Sequence, residues 1–203
     1  PVDHGGTLTQ YHGTHVASIA LGSGGPSGYA TGIAPAARFV DVKVLSDAGA
    51  GTGVAEALDW CIANRARDWG SPDPSERGID VINLSLSSLD QTDGNDLASR
   101  LARRAVELGI VVVASMGNEG KVGQAPSPAG GNGVLAVGAW DDQRTGDAAD
   151  DLYPSFNTYG PRASNQDGSA LDEMKPDVLA PGVAVLSADG DLASDGTKYR
   201  RAS

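Results

Sequence analysis

The sequence predicts an α/β fold, doubly wound in three layers around a mostly parallel central sheet. Three observations carry that expectation. Strand-like and helix-like segments alternate between residues 38 and 113, and strands joined through helices pair in parallel. Ile110–Ala114 is an unbroken apolar run of mostly β-branched residues, the pattern of a strand covered on both faces. Glycine is frequent, at 28 of 203 residues, while aromatics make up only 5%, which suits tight turns and closely packed aliphatic strands. In such sheets the site lies beyond the carboxyl ends of the strands.

The elements follow in chain order. Residues 1–11 read as loop, with adjacent glycines and no periodicity. A helix is expected from Gly13 to Leu21, because Val16, Ile19 and Ala20 recur at helical spacing. The Gly/Pro stretch Ser23–Ala30 must end it. Arg38–Leu45 alternates apolar and polar residues and predicts a strand. A Gly-rich turn, Asp47–Gly53, leads into an amphipathic helix over Val54–Asn64, whose apolar face is Val54, Leu58, Cys61 and Ile62. Thr52 is its expected cap. Asp68–Arg77 is a charged surface loop.

Ile79–Leu86 is the next expected strand. A helix follows over Asn95–Leu108, with Leu97, Leu101, Ala105 and Leu108 as its apolar face and Gly109 as its stop. Ile110–Ala114 and Val134–Trp140 are further strands. Residues 141–175 are acidic and irregular, with one strand-like piece near Ser155–Tyr159. Asp177–Leu179 and Val183–Ser187 read as short strands. Ser85–Ser87 and Ser115–Asn118 both sit at carboxyl ends of expected strands, so they are candidates for one shared cleft.

Composition narrows the function. The length allows one domain with a full core. A net charge of −11 argues against nucleic acid and anionic membrane as partners. Cys61 is the only cysteine, so an internal disulfide is excluded. No apolar run reaches the roughly 18 residues of a transmembrane span. The chain opens on Pro1, not Met, and the native N-terminus is expected elsewhere.

Histidine occurs only as His4, His12 and His15. His12 and His15 share a helix face, so a metal pair is conceivable. No further Cys/His cluster accompanies them, and no metal site is assigned. From spacing alone, the favoured reading is that both are helix-start residues bonded to backbone. Asn118 could likewise be a turn residue ahead of Glu119-Gly120.

Five motifs weigh on these alternatives. His12-Gly13-Thr14-His15-Val16-Ala17-Ser18 resembles the histidine motif of the subtilisin-like serine proteases. Gly32-Ile33-Ala34-Pro35 with Val42-Lys43-Val44-Leu45 resembles a second family segment. Val81–Leu86 resembles the substrate-binding strand. Ala114–Gly120 resembles the asparagine motif, and Lys175–Gly182 the late K-P-D…A-P-G segment. All five occur in the family's order across nearly the whole chain.

The resemblance implies a subtilisin-like fold and a serine endopeptidase acting on extended peptide or protein substrates. His12 would be the general base and acid, and His15 a helix residue. Asn118 would donate to the oxyanion. Ser85, Leu86 and Ser87 would pair with the substrate backbone. Ser115, Met116 and Gly117 would wall the pocket for the side chain before the scissile bond. The family usually has smaller residues at Ser87 and Met116, which implies a shallower, apolar pocket. A secreted or cell-envelope protein made with a propeptide is also implied.

The resemblance also locates what these residues lack. The family's aspartate motif lies well upstream of its histidine motif, and only eleven residues precede His12. Asp3 matches no motif. The nucleophile motif follows the late segment, and neither Gly196-Thr197-Lys198 nor Ser203 fits it. The 203 residues therefore read as a single but incomplete peptidase domain, lacking the Asp-bearing strand and the Ser-bearing helix. Such a chain is expected to be inactive and poorly stable alone. Calcium is left open: Ser23–Thr31 has no Asn or Asp, while Asp141–Asp151 carries five Asp that could offer oxygen ligands or be a solvated loop. The alternative function is a non-catalytic binding or scaffold domain. A nucleotide site is disfavoured, because Ser23-Gly24-Gly25 follows a helix and not a strand.

Overall fold

The computed structural model describes residues 11–46, 51, 53–189 and 199–202. Asp3, His4, Thr52, Gly196-Thr197-Lys198, Ser203 and most of the Asp47–Gly53 turn lie outside the described residues. The chain forms two compact units. One comprises residues 1–53 with 184–203, the other residues 54–183.

In the first unit, α1 spans His12–Leu21, as the apolar spacing predicts. Its C-terminal carbonyls would be orphaned where the helix stops. The returning chain takes them: Ile33 N–H donates to Ile19 at 3.0 Å, Ala34 to Ala20 at 2.8 Å and Gly32 to Gly22 at 2.7 Å. A Cβ on Gly32 would lie 2.5 Å from the Gly22 nitrogen, so only glycine permits this approach. Helix α1 packs on β5 (Val185–Ala188), which pairs antiparallel with β6 (Tyr199–Ala202).

Two expectations fail in this unit. Arg38–Leu45 is not a strand, and Phe39, Val40 and Val42 stay exposed. Alternation says which side chains would share a face, but a strand also needs a neighbour in register, which local pattern does not encode. Val183–Ser187 shifts to Val185–Ala188 and joins this antiparallel pair, not the parallel sheet. The polar Tyr199–Ala202 segment gave no hydrophobic signal for its partner.

The second unit is built on four parallel strands in the order β1 (Val81–Leu84), β2 (Val111–Ser115), β3 (Leu135–Trp140) and β4 (Val178–Pro181). Helices α2 (Val54–Ala63) and α3 (Leu97–Glu107) pack against each other, with α3 against β2. Leu58, Cys61, Ala102 and Ala105 join Ile82, Leu84, Val112, Ala114 and Ala136 in one core. Burial pushes the Cys61 thiol pKa up, as expected of a buried, unreactive cysteine.

Three details correct the sequence reading. Strand β2 fully buries one face, Val112 and Ala114, against α2 and α3, while on the other Val111 is 52% exposed and Val113 and Ser115 are half-buried. A β-branched run reports strand propensity and leaves the second face undetermined. The buried side of α3 is Ser99, Ala102 and Ala105, and Leu97 faces water. The small side chains let the helix lie close to the sheet. Ser155–Tyr159 forms no strand; instead Asn157 places its amide against the Ala139 backbone, accepting from its N–H at 2.9 Å and donating to its C=O at 2.6 Å. A side chain there does the work of a ladder rung.

The amino-terminal ends of β3 and β4 are stapled by Lys175 and Asp177. Asp177 accepts from the Ala136 N–H at 2.7 Å and from Lys175 Nζ at 2.7 Å, and Lys175 also donates to the Val134 carbonyl at 3.0 Å. The Lys175 side chain is 4% exposed and that of Asp177 34%. Breaking the pair from the acidic side strands a buried ammonium. Asp177→Ala should therefore cost about 2 kcal/mol or more in urea unfolding, and Lys175→Met less, because its carboxylate keeps the Ala136 bond and partial access to water.

Candidate functional site

His12 is the first residue of α1, is exposed, and belongs to the first unit. The first turn of α1 holds no acidic residue. His15 sits differently. It is 5% exposed, its Nε2 lies 3.2 Å from the Val185 carbonyl, and its own carbonyl accepts from Ser187 Oγ at 2.8 Å. His15 thus fastens α1 to β5.

The other candidate residues belong to the second unit. Strands β1 and β2 are parallel neighbours with Leu84 opposite Ala114. Their continuations, Ser85–Ser87 and Met116–Asn118, consequently leave the same edge of the sheet side by side. Gly117 has φ +79, and a Cβ there would come within 2.9 Å of Ser87 Oγ. Glycine permits both the turn and the close approach.

Beyond Gly117 the chain is held by the loop that follows β3. Thr158 N–H donates to the Gly117 carbonyl at 3.3 Å, Glu119 N–H to Thr158 Oγ1 at 3.1 Å and Gly120 N–H to the Phe156 carbonyl at 2.7 Å. Thr158 and Asn157 are both buried. Asn118 stands on this braced loop with its side chain exposed and its amide unbonded among the described residues. An amide donor on a fixed support, near the carboxyl end of a central strand, can serve a reacting oxygen without reorganising.

Next to it runs a shallow groove that encloses only about 10 Å³. Ser87, Met116 and Gly117 line it, whereas Ser85, Leu86, Ser115 and Asn118 do not. Met116 is 1% exposed and forms the floor. Sequence reasoning missed Ser88, Leu89, Glu119, Lys121, Gln124, Pro126 and Thr158, which complete the walls. Most of these lining residues are polar. Glu119 adjoins the asparagine motif and was within reach of the pattern, while Gln124, Pro126 and Thr158 arrive from loops that no local signal places here.

The two walls are tied together. Ser88 N–H donates to the Ser127 carbonyl at 2.8 Å, and Ser127 N–H to Ser88 Oγ at 3.0 Å. Gln91 Nε2 reaches the Gly123 carbonyl at 2.6 Å. Behind them Asp96 caps α3, accepting from the Ser99 N–H at 3.0 Å, from Ser127 Oγ at 2.6 Å and from Thr92 Oγ1. Burial pushes the Asp96 carboxyl up, but the hydrogen bonds from Ser127, Thr92 and Ser99 together outweigh it and hold its pKa below the ordinary aspartate value.

In the acidic loop the carboxylates serve local turns. Asp141, Asp142 and Asp147 accept from the backbone N–H groups of Gln143, Arg144 and Ala149, and Asp150 accepts from Thr145 Oγ1. Among the described residues no three His, Cys, Asp or Glu side chains converge to hold a metal. No described helix is long and apolar enough to cross a membrane.

Residues 5–202 match the Peptidase_S8 model of the subtilase family. Serine protease AprX of Bacillus subtilis (strain 168) is 36% identical over 184 residues, covering 87% of this chain and 38% of AprX. Subtilisin-like protease 1 of Trichophyton tonsurans is 32% identical over 191 residues, 92% of this chain and 31% of that protein. Among solved structures, Sphericase superposes with a TM-score of 0.67 at 26% identity, over 94% of this chain and 56% of its own. The S41 psychrophilic protease gives 0.67 at 30% identity, over 89% and 55%. The chain thus spans 31–38% of these two sequence relatives and little more than half of these structures.

The Asp96 network sets a pH dependence. A carboxyl whose folded pKa is depressed contributes stability above its unfolded pKa, near 3.9 for Asp, and loses it as pH falls through the folded value. Urea titrations of wild type and Asp96→Asn should show a stability gap at pH 7 that persists to about pH 4 and closes below it. A gap independent of pH would contradict this assignment.

Proposed function

The chain belongs to the subtilase family, and on that premise we propose that it is part of a serine endopeptidase domain, contributing the general base, one oxyanion donor and a substrate pocket. The carrying observation is Asn118. Its amide is exposed and, among the described residues, unbonded, on a loop braced from the far side, at the edge where the groove also opens.

In this reading an extended peptide lies along Ser85–Ser87 and gains main-chain hydrogen bonds whatever its sequence. Its side chain before the scissile bond enters the groove between Ser87 and Met116-Gly117. The oxygen of a serine attacks the carbonyl carbon as its proton passes to neutral His12. Asn118 then donates to the oxygen that becomes negative. His12 returns the proton to the departing amine, and water releases the acyl group by the same route. No residue of this sequence is assigned as that serine or as the aspartate that orients His12. A secreted protein made with a propeptide fits the same reading.

A non-catalytic binding or scaffold domain is the second reading. The retention of both His12 and Asn118 favours catalysis, since binding alone needs neither. The whole protein should be labelled by a serine-directed phosphonate, and His12→Ala should abolish labelling. Asn118→Ala should lower kcat by about 10²–10³ with little change in KM, a magnitude carried over from subtilisin, the family's type member. Labelling that survives His12→Ala would overturn the catalytic reading.

The floor of the groove makes a second test. A buried Met116 leaves room for a small side chain only, so peptides with Ala before the scissile bond should be cleaved faster than those with Phe. Met116→Ala should shift the kcat/KM ratio toward Phe by about tenfold, the worth of one or two methylenes in a pocket. An unshifted ratio would remove Met116 from the pocket.

A further inference from the structure

We propose that Asp96 is a positioning residue for the groove, setting the separation of its two walls; this rests on the peptidase reading above. A helix cap at a protein surface satisfies one or two orphan N–H groups and nothing more. Asp96 does that for Ser99 at 3.0 Å. Its carboxylate also accepts two hydroxyls from outside the helix. Thr92 belongs to the loop after β1, which carries Ser87, Ser88 and Leu89. Ser127 belongs to the loop after β2, which carries Met116, Gly117 and Pro126. One anion therefore binds a residue from each wall at once, Ser127 at 2.6 Å and Thr92 beside it.

The tie passes from there to the groove itself. Ser127, held by Asp96, exchanges two hydrogen bonds with Ser88, which lines the groove. Thr92 N–H donates to the Ala125 carbonyl at 3.0 Å, next to Pro126, another lining residue. Ser99 is fully buried, and its hydroxyl reaches Ser127 Oγ at 3.1 Å, closing the network against α3. Hydrogen bonds to an ionised acceptor are shorter and stronger than neutral ones. Within this network Asp96 is the single ionised acceptor, so each wall is held more firmly to the helix end than to the opposite wall. Loosening it lets the walls part while leaving the sheet and Asn118 in place.

Ser127→Ala separates this role from simple capping, because it keeps the Asp96–Ser99 N–H cap while removing the cross-wall hydroxyl and its bond from the Ser99 hydroxyl. Hydrogen exchange of the whole protein should show faster amides at Ser88, Thr92 and Ser127, with α3 unchanged from Arg100 onward. Steady-state cleavage should show KM raised about tenfold, the size of a lost hydrogen bond to a charged group, for peptides with Ala before the scissile bond. KM for the Gly counterpart should change much less, and kcat little for either. Asp96→Asn, which still caps, should move both readouts in the same direction; if it fails to fold, Ser127→Ala decides alone. A lowered melting temperature with equal KM changes for the Ala and Gly peptides would overturn the proposal, as would loosening confined to α3. If the wild type cleaves no peptide and takes no phosphonate, the peptidase reading falls and this role falls with it. Altered exchange without a KM difference removes the positioning role alone.

Discussion

The parallel register of β1 and β2 is the constraint on which the second unit depends. With Leu84 opposite Ala114, both chains leave the sheet at one edge and in one direction. A slip of one residue would turn every side chain of a strand to the other face. Ile82, Leu84, Val112 and Ala114 would leave the core, and Ser87 would no longer meet Gly117. The core fixes the register, and the register fixes the groove. The same apolar residues that stabilise the sheet therefore decide where Asn118 stands.

What the sheet positions, polar ties then hold. The groove is made of loops, which lack ladder bonds of their own, so their shape rests on specific acceptors. Thr158 braces the loop carrying Asn118 from one side. Asp96, Ser127 and Ser88 fasten the other walls. At the opposite end of the sheet, Lys175 and Asp177 close β3 against β4 with a pair buried mostly on its cationic side. The K-P-D motif thus has a structural role remote from the groove, and Gly32-Ile33-Ala34 has one as the cap of α1. A motif that marks a family need not touch its substrate.

Much of this was legible in the sequence, for reasons that differ by element. Helices α1 and α2 announced themselves by spacing, and Gly109 stopped α3 where its φ of +90 permits a left-handed turn. Strand β2 was visible as a β-branched run, but its one-sided burial was not, because coverage is decided by where α2 and α3 settle. Arg38–Leu45 had the right alternation and no ladder. In the site, the places of Ser85–Ser87 and Ser115–Asn118 at the carboxyl ends of strands followed from the sequence pattern. Thr158, Gln124 and the Asp96 hub did not. Each reaches the groove through contacts between loops more than thirty positions apart (Ser127 to Asp96, Glu119 to Thr158), and such pairings leave no local trace.

The central claim is that the carboxyl edge of β1 and β2 is where a peptide carbonyl is held and attacked. A structure of the whole protein bearing a peptidyl phosphonate tests it most directly. The peptide backbone should run beside Ser85–Ser87, its last side chain should rest over Met116, and a phosphonyl oxygen should lie within hydrogen-bond reach of the Asn118 amide. An adduct whose oxygen is held by other donors, with Asn118 still facing water, would contradict the account.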